Sequence, residues 1–87
     1  MRPVLYLISY DLLNHATMDE YKALFAELER LGARRVLYSQ WLWRGSNTSV
    51  QIRDYLIQFV HPTDRILVVE VPTNWAGNNL IFNPNNI

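Results

Sequence analysis

Residues 4–11 read Val-Leu-Tyr-Leu-Ile-Ser-Tyr-Asp, and no other stretch constrains the fold so tightly. Successive side chains of a strand point to opposite faces. Val4, Tyr6, Ile8 and Tyr10 therefore share one side, and Leu5, Leu7 and Ser9 the other. A strand apolar on both faces needs cover on both. The run stops abruptly at Asp11, which sets a carboxylate at the lip of a buried sheet.

The following segments alternate in a readable order. Residues 12–16 form a loop, and Thr17-Met18-Asp19-Glu20 is a capping box opening a helix. Tyr21, Leu24, Phe25, Leu28 and Leu31 give that helix one apolar stripe, and Gly32 suits its left-handed terminator. Residues 35–38 and 40–44 are two strands, with Trp41 and Trp43 on one face of the latter and Leu42 on the other. No Gly or Pro lies between these strands, so a bulge near Ser39-Gln40 and a tight hairpin both remain open. A second capping box, Thr48-Ser49-Val50-Gln51, starts a helix whose stripe is Ile52, Tyr55, Leu56, Phe59 and Val60, stopped by His61-Pro62. Residues 65–71 form a fourth strand, apolar on both faces. Residues 80–82 read as a short fifth strand, and the Asn-rich residues 83–87 as a loose tail.

The order strand, helix, strand, strand, helix, strand is that of an α+β, ferredoxin-like βαββαβ domain, here with a short extra C-terminal strand. Its sheet is antiparallel, with both helices on one face. One domain spans residues 1–87. The helices leave the second face uncovered although strands one and four are apolar there. A homodimer packed sheet against sheet is the expected cover. The size of the chain points the same way. With 87 residues and no cysteine, it has neither a large core nor disulfides to rely on.

Eight basic and eight acidic side chains give a formal charge of zero, which argues against stand-alone, high-affinity nucleic-acid binding. No apolar run reaches membrane-spanning length, and no signal-like segment precedes the first strand. The expectation is a protein of the cytoplasm with no membrane partner.

Three segments carry a resemblance to a known family: Leu5-Tyr6-Leu7-Ile8-Ser9-Tyr10-Asp11; residues 32–41 (GARRVLYSQW); and Ile52-Arg53-Asp54-Tyr55-Leu56 followed by residues 63–69 (TDRILVV) and Asn74-Trp75-Ala76. In order and spacing they resemble the second CRISPR-associated (Cas) family, the small partner of the spacer integrase, and more closely its SinR-like branch. The resemblance implies a ferredoxin-like homodimer whose last strand adds to the partner's sheet. It makes Asp11 the candidate catalytic and metal-holding residue, facing its two-fold mate across a shared Mg²⁺ or Mn²⁺. It also implies nucleic-acid contacts at Tyr10, Arg35, Ser39 and Trp41. The chain departs from the family at Leu37, where a Gln is usual, and after Asp11, where Asn14 and His15 replace arginines.

Each candidate has a plainer reading. Asp11 alone is too few ligands for Mg²⁺, and could simply bond turn amides beyond the strand. His15 is a candidate auxiliary ligand or base, or else a solvated loop residue; His61 suits the last turn of the second helix. Arg34, Arg35 and Arg44 with Trp41 and Trp43 form either a basic-aromatic surface for single strands or a frame around tryptophans in a dimer core. Two functions follow: a metal-dependent endonuclease acting on RNA or DNA through paired Asp11 carboxylates, or a non-catalytic dimeric scaffold with a protein partner.

Overall fold

The computed structural model describes residues 3–13 and 21–87. Its elements are β1 (Val4–Asp11), α1 (Lys22–Arg30), β2 (Arg34–Leu37), β3 (Gln40–Gly45), α2 (Ser49–Leu56) with a 3₁₀ turn at Ile57–Phe59, and β4 (Arg65–Glu70). Among the described residues the sheet has four strands in the order β2-β3-β1-β4, every pair antiparallel. This is the α+β arrangement expected from the sequence, compatible with a ferredoxin-like domain. No helix among the described residues is long and apolar enough to cross a membrane.

Local signals place the helix ends. The capping box proposed at residues 17–20 lies outside the described residues. At the far end of α1, Gly32 has φ +89°, and the amides of Gly32 and Ala33 donate to the carbonyls of Glu29 and Leu28 at 3.0 and 2.9 Å. That pair of bonds is a Schellman termination, with Ala33 and Leu28 both buried beside it. Before α2 the Gln51 amide donates to Thr48 Oγ1 (3.2 Å), and the Thr48 amide to Gln51 Oε1 (2.9 Å), completing the second capping box.

The two sheet faces bury different sets. Tyr6, Ile8, Tyr10 and Trp41 join Leu24, Leu28, Ala33, Ile52 and Leu56 in the main core under the helices, with Trp43, Ile66 and Val68 packed against it. Trp41 and Trp43 thus fill the helix side. The alternative that they form a dimer core is corrected by the parity of β3, which pairs Trp41 with Ile8 and Trp43 with Tyr6. Leu5, Val36 and Leu42 form a smaller core on the opposite face.

Between β2 and β3 both open alternatives are partly realised. Leu37 pairs with Gln40 across a two-residue turn at Tyr38-Ser39, and the register slips between Arg35 and Leu37. Val36 is the extra residue of a β-bulge. Arg35, opposite Trp41, lies on the helix side, whereas Arg34, opposite Leu42, lies on the other.

The C-terminal segment departs from expectation. Residues 80–82 form no strand; one ladder-like bond links the Ile81 amide to the Val36 carbonyl at 2.9 Å. Residues 83–87 are not loose. Asn83 caps a 3₁₀ turn at Pro84–Asn86 by accepting the Asn85 amide, Pro84 is buried, and Arg44 Nε donates to the Ile87 carbonyl at 3.0 Å. Phe82 and Ile87 pack against the smaller core. The chain therefore covers half of its own second face, the half over Leu5, Val36 and Leu42. The other half stays open, with Leu67 59% and Val69 38% exposed.

Candidate functional site

Strand parity decides which candidates can share a site. Asp11 ends β1 directly opposite Arg65, and its carboxylate lies 3.7 Å from that guanidinium, both side chains well exposed. Being odd-numbered in β1, Asp11 shares the open face with Leu5, Leu7 and Ser9. One row in, Ser9 lies between Gln40 and Leu67, with Gln40 Nε2 donating to Ser9 Oγ at 3.3 Å. The next row is Leu42, Leu7 and Val69. The uncovered half-face is thus an apolar strip of Leu7, Leu67 and Val69 with an ion pair at its end.

Tyr10, Arg35 and Trp41 meet on the other side of the sheet. Trp41 Nε1 donates to Tyr10 Oη at 2.9 Å, and Phe25 stacks on Trp41 with ring centroids 6.3 Å apart. The Arg35 guanidinium lies 4.9 Å from both the Phe25 and Trp41 ring centres and 6.0 Å from that of Tyr38. Burial pushes the Tyr10 phenol above its ordinary range, opposed by the Trp41 hydrogen bond and the Arg35 charge. With Tyr10 7% and Trp41 3% exposed, neither ring is presented to a ligand. Ser39, half-buried in the turn, accepts the Tyr10 amide through its carbonyl at 3.2 Å. The residues grouped by the resemblance are therefore neighbours in space but divided by the sheet: Asp11 on one side, Tyr10, Arg35 and Trp41 on the other.

His15 lies outside the described residues. Asp64, which the sequence reading passed over, organises the neighbourhood of Asp11. Its carboxylate accepts the amides of Leu13 (2.7 Å) and His61 (2.9 Å) and the hydroxyl of the fully buried Tyr21 (2.9 Å). The signal was present in Pro62-Thr63-Asp64, a turn sequence whose Asp bonds nearby backbone. The His61 ring meets Tyr21 edge-on, centroids 6.0 Å apart.

Among the described residues no three His, Asp or Glu side chains come together to hold an ion, and the nearest charged neighbour of Asp11 is a cation. Mg²⁺ takes one or two carboxylates along with waters and phosphate oxygens, and among the described residues Asp11 supplies a single carboxylate toward such a set.

Between the helices lies a cleft of about 310 Å³ floored by Ile8, Leu28, Trp43, Ile52 and Leu56. Tyr55 Oη donates to Glu27 Oε1 across its mouth at 2.7 Å, and Arg30 pairs with the same carboxylate. Arg30 first and Tyr55 second hold the Glu27 carboxyl below its ordinary range. The polar groups at this mouth thus satisfy one another.

No family model and no solved structure matches the chain.

Proposed function

We propose that the protein is a SinR-like relative of the second CRISPR-associated family that works as a homodimer, joined through the open half of its sheet, as a scaffold or interaction module. The observation that carries this reading is the strip along Leu7, Leu67 and Val69, in which half-buried Leu7 packs against the smaller core and the chain's own C-terminal segment leaves Leu67 and Val69 exposed. Apolar side chains aligned on one sheet face favour a second apolar surface over water. A two-fold mate offers the same strip in return. Sedimentation equilibrium at micromolar concentration is the test. Wild type is expected as a dimer and Leu67→Glu as a folded monomer; a monomeric wild type would remove the reading.

A second reading, metal-dependent cleavage of RNA or DNA, is favoured by one observation. Asp11 lies on the same face as the strip, so a dimer built there carries two such carboxylates on facing surfaces. Wild type and Asp11→Ala are compared on labelled single- and double-stranded substrates with Mn²⁺ or EDTA. Mn²⁺-dependent cleavage lost in Asp11→Ala supports the reading, and equal cleavage by both proteins excludes it.

A further inference from the structure

The cleft between the two helices opens on the side of the sheet away from the strip. Its volume of about 310 Å³ lies over the main core, in a fold whose small size leaves little apolar surface to waste on water. Half-buried Trp43 and Leu31 form its accessible lining, with Ile8, Ile52 and Leu56 beneath them. Trp43 cannot swing in to fill the gap, because its Nε1 donates to the Leu31 carbonyl at 2.8 Å and its ring stacks on Tyr6. The polar groups bordering the cleft supply one free donor and no net charge. Gln51 Oε1 accepts the Thr48 amide, which fixes the orientation of the side-chain amide and leaves Nε2 without an acceptor among the described residues. At the mouth Glu27 and Arg30 already pair with each other, and Tyr55 Oη donates to the same carboxylate.

We infer that the cleft binds a small, neutral, mainly apolar molecule of two fused rings, whose single acceptor, such as a ketone oxygen, takes the free N–H of Gln51. The size follows from the volume. A cavity of about 150 Å³ holds one benzene ring, and this cleft has roughly twice that room. The neutrality follows from the mouth. An entering carboxylate would meet Glu27 and an entering ammonium Arg30, and either would have to break a pair already made. An uncharged guest meets neither penalty. A helix of another protein fits less well than a small molecule, because the Tyr55–Glu27 bond ties α2 to α1 across the opening. Neither a dimer nor Asp11 is involved.

Titration of the full chain with acetylnaphthalene, a neutral two-ring ketone, followed in proton–nitrogen NMR spectra, tests it. Wild type is expected to show saturable shifts at the indole N–H of Trp43 and the amides of Leu31 and Ile52, with those of Leu67 and Val69 unmoved. Naphthoate and naphthylmethylamine, which carry the same rings with a charge of either sign, should each bind at least about tenfold more weakly. Gln51→Glu keeps the acceptor that the Thr48 amide needs, so α2 stays capped, but removes the donor. Acetylnaphthalene should bind that variant about tenfold more weakly than wild type. Thermal melts confirm that the variant is folded. No saturable shift in wild type, shifts centred on Leu67 and Val69 instead of Trp43, a charged analogue binding as tightly as the ketone, or equal affinity in Gln51→Glu overturns the inference. Because the cleft and Leu67 lie on opposite sides of the sheet, failure here leaves the dimer reading standing, and the reverse holds too.

Discussion

At the scale of single residues, the most consequential contact is the bond from Trp41 Nε1 to Tyr10 Oη, because both groups are buried and no water can replace either. Tyr10→Phe keeps the ring but orphans the indole N–H, an expected loss of about 1 to 3 kcal/mol in urea denaturation. The phenol also makes stability depend on alkaline pH. Its folded-state pKa is raised, chiefly by burial, so above pH of about 10 the unfolded chain releases this proton before the folded one does. The contribution is complete below that pH and is lost as pH climbs toward the folded value. Tyr10→Phe should therefore flatten part of the alkaline fall seen in wild type. Tyr10 is legible in the sequence as a core residue, since it continues the Val4, Tyr6, Ile8 alternation. Its service to Trp41 is not, because that depends on the register of β1 against β3. Asp64 was hidden for a similar reason: a turn aspartate is easily recognised, but its acceptance of the Tyr21 hydroxyl joins residues 43 apart in sequence.

At the scale of elements, the two glycines that matter do different work. Gly32 terminates α1 at φ +89°, a conformation that an L side chain strains to adopt, and nothing else crowds it. Gly32→Ala should cost about 1 to 2 kcal/mol through the backbone alone. At Gly45 the restriction is space: an added Cβ would fall 2.0 Å from the Trp43 ring. That indole stacks on Tyr6 with centroids 6.4 Å apart and donates to the Leu31 carbonyl at 2.8 Å, so it has nowhere to yield. Gly45→Ala should destabilise by about 1 to 3 kcal/mol, as overpacking does, and should shift the near-ultraviolet circular dichroism of Trp43, a change that Gly32→Ala should not produce. Helix stripes and caps are legible because their periods and partners are local. The bulge at Val36 is not, since it takes the pairing of β2 with β3 to show which residue is extra. Nor is the C-terminal cover. Phe82 and Ile87 follow neither the two-residue nor the helical period, and only the face they land on gives their spacing a purpose.

At the scale of the whole molecule, the doubly apolar first strand poses a question of cover, and the chain answers half of it. Leu5 and Leu42 are 7% and 6% exposed under the returning C-terminal segment, whereas Leu67 on the same face is 59% exposed. The segment is held by few contacts: one backbone bond at Ile81, Arg44 on the Ile87 carbonyl, Arg34 over the Phe82 ring at 5.8 Å, and the buried side chains. Its stabilising effect thus comes mainly from the apolar area it removes from water. Deleting residues 80–87 should expose Leu5, Val36 and Leu42 next to the open strip and merge the two into one larger patch. The expected result is a lower urea midpoint together with association beyond the dimer, read as a rising weight-average mass with concentration. Adding Leu67→Glu to the truncation should not restore a single species, because the newly bared half of the face lies away from that substitution. A truncated chain with an unchanged midpoint and mass would mean that the segment only rests on the sheet, and the second face would need no cover at all.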